Sequence, residues 1–230
     1  MKKIALFLFF LLIINLCYTQ ESVKFSGGGG GMQFGYGNIF LNKLNQELIK
    51  NSLPEFSGDM FSFGGNGQGV INNFIIGGGM YRYNSLQKIN TDTLLASVGM
   101  NYGVLNLGYI LYDSKNLIGY PLISLGYSTF SLKYSEKTPL TFQNAITDIN
   151  HEIQIKKGSP VLDIGCVFEF FPLSKEDKLK GGPCIGLKIG GFFTLNTNNW
   201  EYSGGEIINA PGFTPLGFYI RTLYKGYVFH

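Results

Sequence analysis

Of 230 residues, 45% are hydrophobic, 15% aromatic and only 14% charged, against about 25% charged in an ordinary globular domain. That profile excludes intrinsic disorder, which needs low hydrophobicity and high net charge. The 32 glycines follow no three-residue period, which excludes a collagen-like repeat. A net charge of +3 is too small to point to nucleic acid.

The chain opens on Met1-Lys2-Lys3, followed by an unbroken apolar run from Ile4 to Ile14. Such a run spans about 16 Å as a helix, short of a bilayer core of about 30 Å. Cys17-Tyr18-Thr19 then sets small residues at the −3 and −1 positions of a cleavage before Gln20. Residues 1–19 therefore read as a secretory signal peptide, and residues 20–230 as one exported domain. A lipid anchor on Cys17 is disfavoured, because Ile14-Asn15-Leu16 lacks the small residue expected just before the cysteine. No later stretch is long and apolar enough for a transmembrane helix, so any membrane crossing must use strands.

In chain order, strand signals fall at 22–36, 59–68, 72–84, 93–112, 117–134, 159–172, 181–196 and 215–229. The first contains the run Gly27 to Gly31, which reads as close packing rather than a phosphate cradle because no helix follows it directly. Within residues 38–50, Ile39, Leu41, Leu44 and Leu48 predict a short helix in the first long link. In 93–112 the apolar phase switches between Tyr102 and Leu105, which predicts a bulge at Gly103. A tight turn there would raise the count from about eight strands to about ten.

The cleanest alternation comes later. Leu162, Ile164, Cys166, Phe168 and Phe170 share one face of their strand, opposite Asp163, Gly165, Val167 and Glu169. Ile185, Leu187 and Ile189 lie opposite Gly186, Lys188 and Gly190; Leu216, Phe218 and Ile220 lie opposite Gly217, Tyr219 and Arg221. A hairpin centred near residue 176 would set Cys166 opposite Leu187, and the phases turn Cys166 and Cys184 to opposite faces, which predicts no disulfide between them.

Short links at 69–71, 113–116 and 173–180 alternate with links at 37–58, 85–92, 135–158 and 197–214, three of which are long. Sorting short and long links to opposite ends is a habit of outer-membrane barrels. Charge is nearly absent from the strand interiors, and the less apolar face carries small residues such as Gly79, Ser97, Gly99, Gly108, Ser124, Gly126 and Gly190. Those suit the crowded inside of a narrow barrel, with the aliphatic face turned to lipid. Tyr81, Tyr112, Tyr127, Tyr134, Phe171, Phe192 and Tyr224, near strand ends, are candidates for interfacial girdles.

In these features the chain resembles the small outer-membrane β-barrel proteins of Gram-negative bacteria, of the OmpA-like membrane-domain type. The terminal stretch Tyr224 to Phe229 looks like their last strand, displaced by one position because His230 follows the aromatic residue. The expected fold is all-β: an antiparallel up-and-down transmembrane barrel with a short helix in its first outer loop. The resemblance implies the outer membrane, with the periplasm or secretion as the alternative location.

Marks of chemistry are missing. No GxGxxG, GxxxxGK, GxSxG or CxxC occurs, and His151-Glu152 lacks the second histidine of a zinc-binding helix. Neither catalytic nor metal-binding residues nor a cofactor are expected. Four inward charges stand out: Asp163, Glu169, Lys188 and Arg221 sum to zero and are expected to neutralise one another across the lumen, with Arg221 on a carboxylate. The function expected is non-enzymatic, with a closed polar lumen and long outer loops for surface interaction or envelope assembly. Expected partners are outer-membrane lipid and envelope proteins or surface ligands met by those loops, with no nucleic acid; the barrel acts as a monomer or as a subunit of a membrane complex. The alternatives are a narrow-pore or hydrophobic-ligand transporter, an exported soluble ligand-binding barrel, and a lipid-modifying enzyme using His151 at the rim.

Overall fold

The computed structural model describes residues 26–92, 94–114, 116–137, 152–172, 181–195, 199–202, 204–208 and 210–229. The signal segment 1–19, His151 and His230 lie outside the described residues. Eight long strands form the wall: β1 (Ser26–Ile39), β2 (Asp59–Ile71), β3 (Phe74–Ser85), β5 (Leu94–Tyr109), β7 (Leu117–Glu136), β8 (Glu152–Phe170), β9 (Gly181–Thr194) and β12 (Leu216–Phe229). Short pairings β4 (Ile89–Asn90), β6 (Tyr112–Asp113), β10 (Trp200–Tyr202) and β11 (Gly205–Glu206) decorate the ends, and helix α1 (Asn42–Lys50) lies between β1 and β2. Each long strand pairs antiparallel with the next, and β1 pairs with β12 from Gly27–Phe229 to Ile39–Gly217, so the barrel is closed. Closure leaves no unpaired edge along the wall.

Turn chemistry sorts the two ends. Asn72 and Asn73 join β2 to β3 with φ of 49° and 70°, the geometry of a tight primed hairpin that asparagine tolerates. β2 therefore runs three residues beyond its predicted end, and β3 starts two residues later than predicted. Ser26 and Phe229 share this turn end, while α1 and the β10–β11 hairpin occupy the opposite, loop end. The β8–β9 register is shifted two residues from the predicted one: Cys166 faces Ile189, and Glu169 faces Gly186.

The expected bulge at Gly103 is absent. β5 pairs residue for residue with β3 and β7 through Tyr102, Gly103 and Val104. What changes there is the surroundings. Toward the turn end Leu105 and Leu107 point outward, 74% and 59% exposed, while Asn106 is buried inside. Toward the loop end Ala96, Val98 and Met100 are buried inside, and Ser97, Gly99 and Asn101 face out. Ser97 and Gly99 are thus outward, against expectation. β7 inverts in the same way: Ile123, Leu125 and Tyr127 point out beside inward Ser124 and Ser128, then Phe130 and Leu132 turn in beside outward Ser131 and Lys133. A backbone of constant phase that swaps its apolar face is crossing from lipid into water.

The outward belt is continuous around the wall, through Phe34, Phe63, Ile76, Leu105, Leu125, Ile164, Ile189 and Ile220, each at least 38% exposed. No described helix is long and apolar enough to cross a membrane, and this belt shows that the crossing elements are strands. Inside, glycines make room for rings. A Cβ at Gly29 would lie 2.3 Å from the Tyr227 ring, and one at Gly190 would lie 2.5 Å from the Tyr219 hydroxyl. Of the proposed girdle residues, Tyr112, Tyr127 and Tyr224 do face outward; Tyr81, Phe171 and Phe192 are buried in the lumen.

Candidate functional site

The lumen is filled in layers. At the turn end, Val70, Ile75, Ile118, Phe171 and Phe229 form an apolar cluster. Above it Glu169, fully buried, accepts 2.6 Å from Lys225 Nζ, 3.0 Å from the Tyr120 hydroxyl and 2.8 Å from the Tyr227 hydroxyl. Gln68 Nε2 donates to both tyrosine oxygens, at 3.1 and 2.6 Å. Asn66 Nδ2 reaches Gln68 Oε1 at 3.1 Å and Gln33 Nε2 reaches Asn66 Oδ1 at 2.9 Å, carrying the polar chain upward.

The next layer is built on Asp163, Lys188 and Arg221, each at most 1% exposed. Asp163 Oδ1 accepts from Lys188 Nζ at 3.0 Å and from the Tyr219 hydroxyl at 2.7 Å, and its Oδ2 accepts from the Tyr102 hydroxyl at 2.7 Å. Arg221 does not touch a carboxylate. Its Nη2 donates to the Tyr102 hydroxyl at 2.6 Å and to the Tyr83 hydroxyl. Its guanidinium carbon lies 4.0 Å from the Tyr81 ring centre and 3.9 Å from that of Tyr219. Above this layer Met60, Met100, Phe130 and Phe192 close the loop end with apolar packing.

The four charges named from the sequence therefore share the lumen but split between two clusters. Lys188 and Asp163 meet directly, Arg221 joins them through Tyr102, and Glu169 belongs to a separate pair. Lys225, the partner of Glu169, was missed. It stands in the same phase as Tyr219, Arg221 and Tyr227 on β12, so the period-two count that found Arg221 also reaches it. With Lys225 the two clusters carry three cations against two carboxylates. The surplus charge sits at Arg221, where aromatic faces and hydroxyl oxygens stand in for a carboxylate. Each carboxylate accepts from three side chains, and apolar clusters lie toward both mouths.

A second built region caps the loop end. Leu44 and Leu48 of α1 are buried against the mouth, and Asn45 holds the following loop by accepting from the Phe56 amide and donating to its carbonyl. Trp200 stacks on Phe213 and Phe130 meets both edge-on, and the Trp200 indole donates to the Pro211 carbonyl at 2.9 Å. β10 adds Trp200, Glu201 and Tyr202 to the protruding part of β8. Between helix, hairpin and strand extensions lies an apolar pocket of about 340 Å³, bordered by Leu48, Tyr134, Ile155, Trp200 and Pro211, with Ile208 83% exposed at its rim. Burial pushes the Tyr134 phenol up to about 12, so it stays neutral there.

No known family model and no curated protein matches the sequence. Among solved structures the chain is similar to Neisserial surface protein A, at 8% identity and a TM-score of 0.49, covering 86% of this chain and 96% of that one. It is also similar to Ail, the attachment invasion locus protein of Yersinia pestis, at 10% identity and TM-score 0.47, covering 87% and 97%. The outer membrane protease OmpT from Escherichia coli follows, at 11% identity and TM-score 0.38, covering 91% and 99%.

Proposed function

We propose that this chain is a non-enzymatic outer-membrane barrel with a sealed lumen, and that it works through the cap at its loop end, exposed at the cell surface. The observation that carries the reading is the filling of the lumen: two charge clusters, each carboxylate held by three side-chain donors, between two apolar layers. An eight-stranded barrel has just enough interior for side chains, and here they fill it. The tight-turn end, with Ser26 and Phe229, then faces the periplasm, and α1, the β10–β11 hairpin and the extended ends of β7 and β8 face out. The apolar pocket of the cap is a concave apolar surface on that side and supports contact with a surface ligand or an envelope protein.

Purified protein inserted in planar bilayers is expected to show no steady ohmic steps. Reproducible channels whose ion selectivity changes on Arg221→Gln or Lys188→Gln would overturn the sealed lumen and favour transport.

A further inference from the structure

On the outside wall over β3, β5 and β7, cross-strand rows show where lipid gives way to water. Met80, Gly103 and Tyr127 are register neighbours at the loop-end edge of the apolar belt. The next outward row is Arg82, Asn101 and Thr129, and the one beyond it is Asn84, Gly99 and Ser131. Two hollows meet at this edge. The upper one, about 400 Å³, is lined by Arg82, Lys88, Lys133, Asn84, Asn101 and Ser131, and no carboxylate borders it among the described residues. Directly below, a groove of about 340 Å³ runs over Phe63, Met80, Gly103 and Tyr127 and shares Arg82 and Asn101 with the hollow above. The Arg82 Nε–H donates to Asn84 Oδ1 at 3.1 Å, which fixes the guanidinium at the junction.

From this arrangement we propose a binding site for one anionic membrane lipid of the outer leaflet, with a phosphorylated, hydroxyl-rich head in the basic hollow and an acyl chain in the groove beneath. Cations match phosphate oxygens. The neighbouring amides and hydroxyls match sugar hydroxyls rather than a bare ion. The groove has the one chemistry that a free phosphate cannot use. Gly103 forms its floor, and a Cβ built there finds its nearest atoms only at 4.0 Å, so the groove is shallow by choice of side chain and not by backbone crowding.

The site rests on the membrane-spanning reading of the barrel and is tested apart from it. Folded protein in detergent is presented with a diphosphorylated, acylated glucosamine disaccharide, the same lipid without its phosphates, and inorganic phosphate, and retention is read by native mass spectrometry. The unmodified protein is expected to hold the diphosphorylated lipid at least about 10-fold more tightly than the dephosphorylated one, the difference made by one or more charged hydrogen bonds. Millimolar phosphate is expected not to displace it. The exposed pair Arg82→Gln with Lys88→Gln is expected to abolish that preference while leaving heat-modifiable migration intact, and Gly103→Leu to weaken the acylated lipid by filling the groove. Undiminished preference in the double variant, equal retention of both lipids, displacement by phosphate alone, or full binding by Gly103→Leu would each overturn the site. Failure of the protein to enter membranes at all would instead remove the reading beneath it.

Discussion

At the scale of single residues, the lumen shows how a narrow barrel keeps charge away from water. Lys225 and Glu169 depend on each other: the lysine is the only cation within reach of that carboxylate among the described contacts, at 2.6 Å. Lys225→Met is expected to leave a buried unpaired carboxylate and cost about 3–5 kcal/mol. Adding Glu169→Gln should restore much of it, as read by urea unfolding in lipid vesicles. Arg221 behaves differently, because Lys188 already balances Asp163. Arg221→Gln should therefore cost less than Lys225→Met in the same assay; the reverse order would show that Arg221, and not Lys188, neutralises the aspartate. That distinction was hidden in the sequence. Phase alone set Asp163, Glu169, Lys188 and Arg221 on one face, but which strands sit opposite across the lumen depends on closure and tilt. The tyrosine cage of Arg221 comes from three strands, β3, β5 and β12, and period-two counting cannot pair them.

At the scale of elements, most strands were legible because their alternation is set by one boundary, lipid outside and packed side chains within. β8, β9 and β12 lie within a few residues of their predicted spans, apart from the loop-end extension of β8. β5 misled because it crosses two solvents: the change at Gly103 is a change of environment with unbroken pairing. β7 makes this testable. Leu125→Arg, in the belt, is expected to cost about 2–4 kcal/mol in vesicle unfolding, and Ser131→Arg, above it, about 0–1 kcal/mol. Equal costs would mean that the belt does not end at Tyr127. The cysteines, on the neighbouring strands β8 and β9, report the same geometry. Cys166 is exposed on the outer wall and Cys184 buried within, so a membrane-permeant maleimide should label Cys166 first in the folded protein. Both thiols should alkylate in denaturant without reductant; blocked thiols would mean a register other than Cys166 against Ile189.

At the scale of the molecule, closure, belt, filled lumen and sorted ends describe a barrel built to sit in a membrane. Export is the first requirement, and N-terminal sequencing of the mature protein is expected to start at Gln20; retention of Met1 would remove the signal-peptide reading. The cap was only partly legible. Leu44 and Leu48 announced a helix by their spacing, whereas Trp200 and Phe213 gave no periodic signal, because one sits in a three-residue strand and the other in irregular chain, and both meet Phe130 only through the fold. The most direct test of the whole account is fractionation of cells expressing the full chain, followed by gel migration with and without boiling. Recovery in the outer-membrane fraction after a urea wash is expected, with faster migration of the unboiled, closed barrel. Recovery as a soluble periplasmic or secreted protein would contradict it, since the outward belt would then have to face water.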